Sequence, residues 1–141
     1  MATHRNNPEG KAQAEFFKEI RFAYRNRKDF FDLLLFSTLN GAYLGGNSKE
    51  KRSILFMKYK RQGAVNGVSD ILYLAPRGRF AYLAIELKDE ARRGEADGGA
   101  SKDQIAWIEQ ARAAGGFPMI CYGADEAITA FNAYMEMPVR R

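Results

Sequence analysis

The 141-residue chain is 46% hydrophobic and 28% charged, which suits one soluble domain with a proper core. A single cysteine, Cys121, and a single histidine, His4, exclude an intrachain disulfide, a Cys/His zinc site, a Ser-His-Asp triad and a nuclease with a histidine base. Lys and Arg outnumber Asp and Glu by 22 to 17, and the net charge of +5 favours an anionic partner, nucleic acid first.

Residues 1–7 are polar and expected to be flexible, His4 among them. Pro8 suits the first turn of a helix, and Glu9 suits the positive end of its dipole. Phe16, Phe17, Ile20, Ala23 and Tyr24 repeat at helical spacing, which predicts one helix over about 8–27. Asp29 to Leu39 reads as a short helix or turn followed by a strand through Leu35-Phe36-Ser37. Its apolar residues 30–36 suit either core or an interface. Asn40-Gly41 signals a turn, and Gly45-Gly46-Asn47 a loop. Ser48 is placed to cap a helix over about 49–61 that Gly63 closes, with Ile54, Leu55 and Met57 as its apolar positions. That helix carries Lys58, Lys60 and Arg61 near its end, either as a solvated face or as a phosphate-contacting surface.

Val68–Leu74 and Phe80–Lys88 read as the arms of a hairpin, with Pro76-Arg77-Gly78-Arg79 as the turn. Residues 89–100 are charged and Gly-rich and read as a mobile loop that holds Arg92 and Arg93. Ser101-x-x-Gln104 is a capping-box pattern, opening a helix through Ala114 that Gly115-Gly116 ends. Ile105, Ile108 and Ala111 form its buried stripe. Phe117 to Tyr122 is a strand, and Asp125 opens a last helix with Ile128, Phe131, Tyr134 and Met135 inward. The order predicts an α/β domain with a mixed sheet flanked by helices, residues 1–141 forming a single domain. The crossover through the helix at 101–114 can add a parallel strand pair. No apolar run reaches the roughly 18 residues that span a bilayer, and the N-terminus lacks a signal-peptide pattern. The expected compartment is the cytoplasm, of a bacterium or of a phage-infected host cell.

The chemistry concentrates on the hairpin. Asp70 and Glu86 are equidistant from Gly78, so an antiparallel ladder sets them opposite each other. Glu86 and Lys88 are two apart and project from one face of their strand. Two carboxylates and an ammonium then share one side of a small sheet, a set that suits a divalent metal and a water molecule. The Leu87 carbonyl between them is a further candidate ligand, and Lys88 is placed to orient the water or to contact a phosphate. The alternation of Tyr82, Ala84, Glu86 and Lys88 equally fits the wet face of a half-exposed strand. Asp70 also fits a turn residue after Gly67, and Gln104 is explained by the capping box alone.

Five motifs in order resemble the virus-type replication-repair nuclease (VRR-NUC) domain, a branch of the PD-(D/E)XK superfamily. They are Glu9 with Gln13, Asn40-Gly41, Gly67-Val68-Ser69-Asp70, Ile85-Glu86-Leu87-Lys88, and Ser101-Lys102-Asp103-Gln104-Ile105-Ala106-Trp107. The resemblance spans nearly the whole chain. It implies a restriction-endonuclease-like core, Asp70 and Glu86 as metal ligands, and Lys88 as the catalytic lysine. It implies Gln104 as a support that contacts the lysine or a phosphate, and Glu9 as the first-helix acid, acting through a metal-bound water. Glu15 is the alternative for that last role. Ser69 departs from the proline of the superfamily name. The implied activity is Mg2+-dependent cleavage of DNA, with Mn2+ as a substitute. The implied substrate is branched or four-way junction DNA, since family members that are this domain alone resemble structure-selective nucleases, some of them dimeric. A homodimer is therefore one expected assembly, and a fold that holds branched DNA without cutting it is the alternative function. Lys58, Lys60, Arg61, Arg92 and Arg93 are the expected nucleic-acid contacts.

Overall fold

The computed structural model describes residues 7–39 and 48–140. His4, the Asn40-Gly41 turn and the Gly45-Gly46-Asn47 loop lie outside the described residues. The described chain runs α1 (Pro8–Ala23), β1 (Leu35–Ser37), α2 (Lys49–Arg61), β2 (Ile71–Tyr73), β3 (Leu83–Lys88), α3 (Lys102–Ala113), β4 (Phe117–Tyr122) and α4 (Ala124–Glu136). The strands form one mixed sheet in the order β1-β2-β3-β4. The pairings β1–β2 and β2–β3 are antiparallel, and β3–β4 is the expected parallel pair.

Asn7, expected to be flexible, is instead fixed at the start of α1. Its side chain caps α1 by accepting from the Gly10 N–H at 2.9 Å. The helix is shorter than its periodicity suggests and stops at Ala23. The Tyr24 ring turns into the core against Phe30 and Phe131, and its hydroxyl donates to Asn132 at 2.7 Å. The chain then reverses through tight turns, with Arg27 N–H donating to the Tyr24 carbonyl.

The hairpin keeps the register read from Gly78. Ile71 pairs with Ile85, Leu72 with Ala84 and Tyr73 with Leu83. The regular ladder is shorter than the arms proposed from sequence. Pro76 has no N–H to give, and the Ala75 carbonyl is taken by the Tyr134 hydroxyl at 2.6 Å. At the tip, Arg77 and Phe80 exchange both backbone bonds around Gly78-Arg79, and Gly78 adopts φ +54°.

Helices α1 and α4 pack together on the face that presents Ile71, Tyr73, Leu83, Ile85 and Leu87. Phe131 is the hub, in ring contact with Phe16, Tyr24, Phe30 and Tyr73. Helix α3 lies along β4. All six residues of β3 are buried, so the wet-face reading of that strand is wrong: a central strand with helices on both faces has no exposed side.

Two further expectations are revised. Helix α2 has no buried residue: Ile54 and Met57 are exposed and Leu55 is only partly covered. Residues 89–100, read as a mobile loop, contain two short 3₁₀ turns, Glu90–Arg92 and Ala96–Gly99, laced by Arg92–Glu95 and Arg93–Glu90 ion pairs. Arg77 keeps its place in the turn, and its side chain is buried. Its guanidinium donates to the Met135 and Met137 carbonyls and to the Asp29 carboxylate, the last at 2.7 Å. Of residues 30–36, Leu35 is core and Phe30 partly so, whereas Phe31, Leu33, Leu34 and Phe36 remain exposed.

Candidate active site

Strand β3 ends at the site. Alternation sends Ile85 and Leu87 into the α1–α4 core and Glu86 and Lys88 to the other face. Both are almost completely buried, and the Lys88 ammonium lies 3.2 Å from Glu86 Oε1.

Asp70 sits one residue before β2, where the backbone ladder to β3 ends. Its carboxylate replaces a ladder acceptor and takes the Leu87 N–H at 2.7 Å. Its own carbonyl accepts from Thr38 N–H at 3.0 Å, which ties the site to the end of β1. The extrapolated register sets the Asp70 and Glu86 carboxyls on one cavity wall, where each charge acts on the other's protonation. Ser69, at the proline position of the superfamily name, is fully buried. Its carbonyl accepts from the Thr38 hydroxyl at 2.8 Å, while its own Oγ has no partner.

Burial pushes the Glu86 carboxyl up to about 8, and the neighbouring Asp70 charge pushes the same way, against the pull of Lys88. Asp70 is also raised, first by burial, with the Leu87 N–H and Lys88 opposing. The second Glu86 oxygen, Oε2, is buried and receives no donor. An acceptor sealed from water beside a second carboxylate is an arrangement that a cation relieves.

Gln104 comes from α3. Its Oε1 accepts from Ser101 N–H at 2.9 Å, closing the capping box, while its Nε2 donates to Glu86 Oε1 at 2.7 Å. The capping and supporting roles, alternatives in the sequence, are carried by the two ends of one amide. Its contact is with the glutamate, not the lysine. Glu9, partly buried in the first turn of α1, lines the same cavity as Asp70, Glu86, Lys88 and Gln104; exposed Glu15 does not. Gln13, one helical turn after Glu9, donates to Ser37 Oγ at 3.0 Å and fixes α1 to β1.

Asn66, absent from the motifs, and Gly67 and Asp103, which stand in them without an expected site role, also line the cavity. Gly67 adopts φ +85°, and a Cβ there would lie 2.4 Å from the Asp103 carbonyl carbon. Only glycine lets the Asp70 loop press this closely on α3. The glycine itself was the available signal.

The expected nucleic-acid contacts divide. Lys58, Lys60 and Arg61 sit in the last turn of α2, exposed, and line neither this cavity nor its neighbour. Arg93 is engaged elsewhere, in ion pairs with Glu90 and Glu126 and over the Tyr122 ring. Arg92 lines a cavity that adjoins Lys88.

Among the described residues, no group of three or more His, Cys, Asp or Glu side chains gathers as a metal cage. What the site offers is two carboxylates and a carbonyl. The Lys88 carbonyl faces β4, where it accepts from Gly123 N–H at 3.2 Å, so strand alternation turns the Leu87 carbonyl to the Asp70 edge. Two carboxylates, a carbonyl and room for water or phosphate oxygens is a magnesium-type donor set.

No family model matches the chain, and no curated protein matches it. Among solved structures it is similar to one described as a VRR_NUC domain protein, with a TM-score of 0.69 and 20% identity over 96% of this chain and 93% of that one. The chain has the fold of that protein, and the resemblance read from the motifs holds at the level of the fold.

Proposed function

We propose that this chain is a metal-dependent endonuclease that hydrolyses phosphodiester bonds in DNA, with branched or four-way junction DNA as its preferred substrate. The observation that carries the proposal is the sealed, donorless Glu86 Oε2 beside Asp70, with Lys88 on the other Glu86 oxygen. Such a pair of buried carboxylates serves no packing purpose and suits a bound divalent cation.

Asp70, Glu86 and the Leu87 carbonyl would hold magnesium, or manganese in its place, and a bound ion would supply charge neutralisation at phosphate oxygens and a more acidic water. Lys88 reaches across from Glu86 to a phosphate oxygen and orients the water. Gln104 holds Glu86 in place, and Glu9, on the cavity wall, accepts a hydrogen bond from a water at the site. The buried position of Lys88 and Glu86 excludes bulk solvent, which strengthens each of these contacts.

The test is a cleavage panel of single-stranded, duplex, flap and four-way DNA with and without Mg2+ or Mn2+. The wild type is expected to cut the branched substrates only with metal. Asp70→Ala and Lys88→Ala are each expected to lower the rate at least ~100-fold while retaining the circular dichroism of the wild type. Undiminished cleavage by both variants would falsify the assignment of these residues. Binding without cleavage across several metals would favour the non-cleaving DNA-holding module instead.

A further inference from the structure

The acidic cavity has a neighbour. A second cavity of similar size, about 430 Å³, is bounded by the segment from Arg92 to Ser101 and shares Lys88, Ser101 and Gln104 with the first. The two differ in charge. Glu9, Asp70, Glu86 and Asp103 outweigh Lys88 in the first, whereas Lys88 and Arg92 outweigh Glu95 in the second. One hollow suits a cation, and the adjoining one suits an anion.

The segment around the second cavity is built to hold Arg92 there. The Tyr122 hydroxyl donates to the Gly98 carbonyl at 2.7 Å, and Arg93 bridges Glu90 and Glu126 across the same ring. Gly99, at φ +85°, lets Arg92 lie on the backbone: a Cβ there would be 3.0 Å from Arg92 Cβ and 3.2 Å from Glu95 Oε2. Arg92 is held by Glu95 at 2.9 Å, and the two side chains are 42% and 53% exposed. An ion pair this exposed contributes little. A planar guanidinium gains more from two phosphate oxygens than from a solvated carboxylate, so a phosphate can displace Glu95.

We propose that this second cavity is a phosphate subsite, in which Arg92 exchanges Glu95 for the backbone phosphate next to the one that reacts. The proposal rests on the nuclease reading above and adds the residue that sets substrate register. An internal phosphodiester and a terminal phosphate present the same oxygens; the internal one is the source assigned here.

The test is fluorescence anisotropy on labelled four-way and duplex DNA, with and without 5′-phosphates, in calcium buffer over a salt series, with cleavage followed in parallel in magnesium. Arg92→Ala is expected to weaken binding about tenfold and to lower the slope of log Kd against log salt by about 0.9. Glu95→Gln is expected to tighten binding about threefold, and the double variant to match Arg92→Ala. A pair that only braces the segment would make both single variants weaker or leave both unchanged, and either result overturns the subsite. So does tightening by Glu95→Gln that persists without Arg92, since that is a general charge effect. An Arg92 effect confined to phosphorylated ends keeps the subsite and moves its ligand to a terminal phosphate. Wild-type binding without cleavage defeats the nuclease reading alone, and no DNA binding at all defeats the subsite.

Discussion

Glu86 is the residue on which the site's energetics turn. Its carboxyl is raised toward 8 in the folded chain, by burial and then by Asp70, against about 4.3 for a solvated glutamate. Between those values the unfolded chain has lost the proton and the folded chain keeps it. The folded state therefore binds more protons, and stability falls as pH rises through that window. Without metal, the melting temperature is expected to drop between pH 5 and pH 8, and magnesium to restore more of it at pH 8, where proton and cation no longer compete. Glu86→Gln is expected to flatten the pH dependence and remove the magnesium response. A wild-type melting temperature that is level across this range, or a magnesium shift that survives in Glu86→Gln, would contradict the assignment. Gln104 shows a related economy, with one amide oxygen spent on a helix end and the amide nitrogen on Glu86.

At the scale of elements, the site depends on how closely the loop before β2 approaches α3. Gly67 is the contact point, both left-handed and within van der Waals reach of the Asp103 backbone. Gly67→Ala is expected to destabilise the fold by roughly 2–4 kcal/mol, from the strained φ together with overpacking. Urea unfolding measures the loss, and a value within error of wild type would show that the loop and α3 are not pressed together. Reduced metal affinity is expected to accompany the loss, because the same shift carries Asp70 away from Glu86. By contrast, α2 buries nothing, and its cationic last turn lines neither cavity.

For the whole molecule, the exposed apolar surface beside β1 bears on assembly. Leu33 is 87% exposed, beside exposed Phe31 and Phe36 at the edge strand β1. Apolar residues gathered at a sheet edge mark an association surface. The homodimer that the family resemblance implies is expected to use it, and two-fold symmetry would then fix the spacing of two cuts. Light scattering is expected to give about twice the 15.9 kDa chain mass, and Leu33→Asp to return it to one. A monomeric wild type that still resolves junctions would remove dimerisation from the mechanism. Among the described residues, no helix is long and apolar enough to cross a membrane.

Much of this molecule is legible in its residues taken locally. The symmetry about Gly78 gives the hairpin register, and with it the meeting of Asp70 and Glu86. Ser101-x-x-Gln104 gives the capping box and the start of α3, Gly115-Gly116 its end, and the local pattern gives β4 and the start of α4 within a residue. These signals depend on neighbours a few positions apart, so the chain states them directly. Tertiary structure alone decided that β3 is covered on both faces, that Arg77 is sealed under the C-terminal end of α4, and that Gln104 reaches Glu86 rather than Lys88. It also folded residues 90–99 into a frame around Arg92. Each of these depends on which distant element packs alongside, and on the desolvation that follows, and no local periodicity encodes that.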